Sequence, residues 1–73
     1  MTQNEKVLKY LTDNGSITPL DAYREFGIMR LASRVADLKN MGYPIEKTMK
    51  AMKNRYGDKV RFAEYYFKED KPE

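Results

Sequence analysis

The sequence predicts a small α+β domain in which three helices precede a two-stranded β-hairpin. Three observations predict it. Apolar residues recur at helical spacing in three short segments, each closed by a glycine: Gly15 within Asn14-Gly15, then Gly27, then Gly42. At Tyr43-Pro44 the texture changes, because proline disfavours helical geometry in the residue before it. The final third then holds two strand-like runs around the polar turn KNRYGDK, Lys53 to Lys59.

Helix 1 is expected from about Asn4 to Asp13, with Val7, Leu8 and Leu11 on one stripe and Glu5, Lys6 and Lys9 outside it. Ser16-Ile17-Thr18 is long enough only for a single extended rung, with Ile17 turned to the core and able to pair with a later strand. Helix 2 is expected from Pro19 to about Phe26. Thr18 caps it, Pro19 is preset for the first helical position, and Asp21 sits where an acid favours the helix start. Leu20, Tyr23 and Phe26 would face inward, with Ala22 at the margin and Asp21, Arg24 and Glu25 in water. Gly27 breaks the helix and leaves Ile28 as an apolar plug before helix 3.

Helix 3, from Met29 or Arg30 to Met41, has the cleanest period, with Leu31, Val35 and Leu38 at i, i+4 and i+7. Its other face shows Arg30, Ser33 and Asp37, flanked by Arg34 and Asn40, while Ala32 and Ala36 keep its sides slim. Ile45 to about Met52 reads as a strand with Ile45, Met49 and Ala51 on one face. A helix is the alternative for Glu46 to Asn54, but pairing with the run Val60 to Phe67, VRFAEYYF, favours a strand. Met49 and Met52 read as core filler, and Phe62, Tyr65, Tyr66 and Phe67 as packing over the helices with one of the two tyrosines outward. The charged tail Lys68 to Glu73 is expected to fray.

Seventy-three residues make one domain, residues 1–73, with a modest core and no large catalytic cleft. Cysteine and histidine are both absent, which removes disulfides, thiolate metal sites and the commonest general base. No serine or threonine has a histidine to activate it, no carboxylates are paired, and the four glycines are dispersed, so no phosphate-cradling loop exists. The expectation is a protein that is not an enzyme, with no cofactor, no metal and no small-molecule substrate. No run reaches membrane-spanning length, and Met1 to Leu11 lacks the apolar core of a signal peptide.

The charge is unevenly spread. Residues 29 to 62 carry nine bases and three acids, a local +6 that leaves −3 for the rest of a chain of net charge +3. One basic half gives the molecule a preferred side for a polyanion.

The order helix, rung, helix, turn, helix, basic hairpin is that of the winged helix-turn-helix. The segment NGSITPLDAYREFGIMRLASRVADLKNMGYPI resembles the small winged helix-turn-helix proteins of bacteriophages and prophages, with their glycine-serine-isoleucine-threonine entry, glycine-isoleucine turn and arginine-leucine opening of the third helix. The likeness covers roughly Val7 to Ile45 well and the aromatic strand loosely. It implies a recognition helix at about 29–41, a wing at about 53–61, double-stranded DNA as partner, a role in transcription regulation or accessory DNA binding, and the cytoplasm of a bacterial host. Carried over by position, the groove-facing residues are Arg30, Ser33, Arg34 and Asp37.

Arginine suits the major groove because its planar fork donates to guanine O6 and N7 together. For Arg34 an intrahelical bridge to Asp37 competes with base contact, whereas Arg30 has no acid at those spacings. Ser33 can donate to phosphate or a base edge, and Asp37 can accept from cytosine N4 or orient Arg34. Lys53, Arg55, Lys59 and Arg61 around the hairpin tip are placed for phosphates or the minor groove. One module covers few base pairs, so useful specificity is expected to need a homodimer, a tandem site or a partner. The competing reading is a protein-interaction module that turns its basic face to an acidic surface of a host protein.

Overall fold

Helix α1 (Gln3–Asn14) opens the chain and is followed by β1 (Ser16–Ile17), α2 (Pro19–Phe26), α3 (Leu31–Asn40), β2 (Ile45–Lys53) and β3 (Lys59–Phe67). The computed structural model describes residues 1–68. Both α1 and α2 begin with a reciprocal cap. Thr2 Oγ1 accepts from the Glu5 N–H at 3.1 Å while Glu5 Oε1 accepts from the Thr2 N–H at 2.8 Å. Thr18 and Asp21 repeat the arrangement at 3.1 and 3.0 Å, with Pro19 at the first turn. Such boxes satisfy N–H groups that a helix start otherwise leaves without acceptors.

The cap at α1 has a pH signature. The Thr2 backbone N–H, and after it the Thr2 hydroxyl, hold the Glu5 carboxyl below its usual value. A depressed carboxylate contributes stability above its unfolded-state pKa and loses it as pH falls through the folded-state value. Helicity followed by far-UV circular dichroism is therefore expected to decline slightly from about pH 5 to about pH 3, and Glu5→Gln is expected to flatten that decline. The effect is small because the carboxylate is open to water.

Between α2 and α3 the chain turns at Gly27, whose φ of +69° is left-handed. Its N–H donates to Tyr23 O at 2.8 Å and the Ile28 N–H to Ala22 O at 3.1 Å. The turn thereby carries Ile28 into the core, as the sequence predicts. Val7 and Leu11 of α1, Ile17 of β1, and Leu31, Val35 and Leu38 of α3 form the centre of that core, closed by Ala22, Ile45 and Tyr65.

The sheet has three antiparallel strands in the order β1-β3-β2 rather than the hairpin's two alone, because Ser16 and Ile17 pair with Tyr66 and Tyr65. From Ile45↔Phe67 to Lys53↔Lys59 the hairpin runs in unbroken register, which settles Glu46 to Lys53 as strand and not helix. β2 lies at an edge of the sheet, so its outer N–H and C=O groups face no strand. Lys47, Lys50 and Lys53 stand along it.

Several expectations are corrected. In α2 the inward residues are Ala22, fully buried, and Phe26, whose ring meets Tyr10 edge-on at 5.9 Å; Leu20 and Tyr23 are exposed. A methyl at position 22 lets the short helix lie close to the core, which rotates the larger side chains outward. Met49 and Met52 are also exposed, because β2 extends beyond the core after Glu46 and, among the described residues, neither side chain is buried there. Tyr65 and Tyr66 are both buried, on opposite faces of the central strand, and Thr48 Oγ1 donates to Tyr66 Oη at 3.2 Å. Lys68, expected to fray, donates its N–H to Pro44 O at 2.7 Å. The rest of that tail, residues 69–73, lies outside the described residues.

Candidate nucleic-acid interface

Helix α3 spans Leu31–Asn40, two residues shorter at its start than the expected 29–41, and Met41 caps its end. Arg30 is its N-cap, with φ −120° and ψ 60°, and no side chain caps the helix there. Arg30 is thus not on a helical face four residues from Arg34. Both still line one cleft of about 450 Å³ at the start of α3, together with Gln3, Gly27, Met29 and Ser33. Arg30 is exposed and enters no ion pair among the described residues. Its guanidinium is free to approach a ligand from the helix start, where the first N–H groups also favour anions.

Arg34 is differently placed. Its Nη2 lies 3.2 Å from Asp37 Oδ2, the bridge weighed from the spacing, and its Nε is enclosed with no acceptor. Half of its donor fork is therefore committed or hidden, so Arg34 cannot offer the two parallel donors that guanine requires without releasing Asp37. Ser33 and Asp37 are half-buried beside it. The most open side of α3 carries Ala32, Ala36, Lys39 and Asn40. Two methyl groups there leave the helix slim, which suits insertion between groove walls.

The hairpin provides the second part. Strand alternation and the register place Lys53, Lys59 and Arg61 on the same side as Ile45, Tyr65 and Ala63, the side packed on the helices. Past the helical core that side continues into solvent as a basic surface. Lys53 and Lys59 are directly opposite each other, a like-charge pair that disfavours the hairpin in isolation. Neither they, nor Arg55 in the turn, nor Arg61 enters an ion pair among the described residues. Lys50, on the opposite side, is held by Glu64 at 2.9 Å. Acids neutralise the far side of the hairpin and leave the helix-facing side cationic.

The turn itself rests on a residue that the sequence reading passed over. Asn54 Oδ1 accepts from the N–H groups of Tyr56 and Asp58 at 2.9 and 3.0 Å, and Gly57, at φ +83°, donates to Asn54 O at 3.0 Å. An asparagine opening a glycine-containing turn is the legible signal, because its side chain can stand in for a backbone carbonyl. Arg55 and Tyr56 sit at the tip of this organised loop, both exposed.

Among the described residues, no group of three or more His, Cys, Asp or Glu side chains could hold a metal ion, and no helix is long and apolar enough to cross a membrane. A search of curated proteins finds no match to this chain. A slim helix seated on a glycine turn, with a cationic hairpin beyond it, is the arrangement by which small proteins meet duplex DNA. Residues 2–70 match the family described as winged helix-turn-helix domain, and the chain belongs to that family.

Proposed function

We propose that this domain binds double-stranded DNA, α3 entering the major groove and the wing meeting phosphates or the minor groove, as a transcriptional regulator or accessory DNA-binding protein of a bacteriophage or prophage. The observation that carries the reading is the side of the hairpin shared with Ile45 and Tyr65, where Lys53, Lys59 and Arg61 are aligned and enter no ion pair among the described residues. A duplex supplies the missing negative charge at a spacing that several cations can meet at once. Arg30 is the base reader in this scheme. The Arg34–Asp37 pair is preset beside it, Ser33 lines the same cleft as Arg30, and Arg55 extends the phosphate track.

The test is fluorescence anisotropy of a labelled duplex library with the folded protein. Affinity is expected to fall linearly in log K against log salt with a slope of several units, and selection of bound duplexes should yield a short preferred site. No duplex binding at low salt by a folded sample would refute the reading.

The Arg34–Asp37 bridge gives a sharper expectation. Asp37→Ala releases Arg34 and removes a negative charge from the approach to the groove. Non-specific duplex affinity is expected to rise about 3- to 10-fold, while the ratio of best site to random DNA falls. Stability should change by only about 0.5 kcal/mol, since the pair is half exposed. Equal gains on all sequences, with no loss of discrimination, would leave Asp37 without a part in specificity.

A further inference from the structure

On the side of the hairpin opposite Ile45 and Tyr65, the residues nearest the tip are apolar, and the start of α2 closes them into a groove of about 690 Å³. Leu20 and Tyr23 form one wall, and Met52, Val60 and Phe62 the other. Leu20, Tyr23, Met52 and Val60 are 61, 58, 56 and 42 % exposed. Together they form one contiguous apolar patch within the size range of the largest patch on an ordinary soluble monomer, which is often functional.

We propose that this groove is a self-association surface, filled by the same groove of a second copy about a two-fold axis. The rim charges favour a like copy over a charged partner. Lys50 is paired with Glu64 at 2.9 Å and Asp21 with Arg24 at 3.3 Å, so the charged residues lining the groove are balanced among the described residues. A second chain of net charge +3 can approach here because the bases Lys53, Lys59 and Arg61 lie on the opposite side of the hairpin. The area is also sufficient. Side chains near half exposure offer about 500 Å² per copy, so a face-to-face pair removes about 1,000 Å² from water, the lower limit for a specific and weak interface. Such a pair leaves the cationic side of both wings uncovered. The proposal needs no nucleic acid and stands apart from the duplex reading.

Sedimentation equilibrium of the full chain without DNA tests it. The average mass is expected to rise from 8.6 kDa towards twice that value, with the midpoint at about 10–100 μM. Leu20→Glu and Val60→Lys should each hold the monomer mass at every concentration while keeping the wild-type far-UV spectrum, and Tyr56→Ser at the wing tip should associate as the wild type does. A monomeric wild type throughout the range overturns the proposal. So does association that survives both groove variants, which would place the contact at the open edge of β2. A wild type that stays monomeric, with Leu20→Glu instead losing a protein of another kind, would overturn it as well.

Discussion

Replacing Lys53, Lys59 and Arg61 together by glutamine is expected to weaken duplex binding by about 10- to 100-fold at low salt and to reduce the slope of log K against log salt by about 3. Each cation that meets a phosphate releases roughly one condensed counterion, so the slope counts contacts while the affinity sums them. The three side chains lie on one side of the hairpin and are exposed, so the substitutions leave the core untouched. Removing the Lys53–Lys59 repulsion should even steady the free hairpin slightly. Loss of affinity would therefore report on the ligand and not on unfolding. Arg30→Ala is expected to behave otherwise, costing about 1–3 kcal/mol on the preferred site, little on random DNA, and about one unit of slope at most. Titrations at several salt concentrations separate the two patterns. An unchanged slope in the triple variant would remove the wing from the interface.

Leu11→Ala is expected to cost about 2–5 kcal/mol and to lower the melting temperature by more than about 10 °C. Leu11 of α1 has no exposed surface and belongs to the core cluster with Ile17 of β1 and Leu31, Val35 and Leu38 of α3, so its loss opens a hole in the centre of the domain. A domain this small has a total stability of only about 4–11 kcal/mol, so one truncation removes a large fraction of it. Met29→Ala is the matched control. Met29 is equally apolar by sequence but 81 % exposed, and its truncation should shift stability by less than about 0.5 kcal/mol. Thermal melts by circular dichroism read both. A similar loss in the two variants would mean that the buried centre of the domain is not where Leu11 lies.

The element order was legible because each boundary has a local cause. Thr18-Pro19 opens α2, Gly27 ends it, and Pro44 stops any continuation of α3, all without reference to distant residues. The stripe Leu31, Val35 and Leu38 likewise identified its own buried face. What the sequence did not disclose was relative placement. Leu20 and Tyr23 follow the helical period as well as Ala22 and Phe26 do, and only the packing of α2 on the rest of the domain chooses between the two faces. Tyr66 is buried because β3 is central in the sheet, a fact that depends on β1 joining it from the far end of the chain. At the interface, residue types pointed to Arg30, Arg34 and the wing bases. Their division into open and committed groups required the Asp37 and Glu64 geometries. The position of Arg30 outside the helix depended on where the first turn closes, which spacing alone does not fix.

The open flank of β2 gives its lysines a second consequence, one that Lys53 shares with its proposed place at the wing. Ammonium groups spaced along a bare strand keep neighbouring molecules from adding to it as further strands. Substitution of Lys53, proposed above as a phosphate contact, therefore also weakens a barrier to edge-to-edge pairing. A Lys53 variant that loses duplex binding is therefore to be checked for solubility before the loss is ascribed to the missing contact.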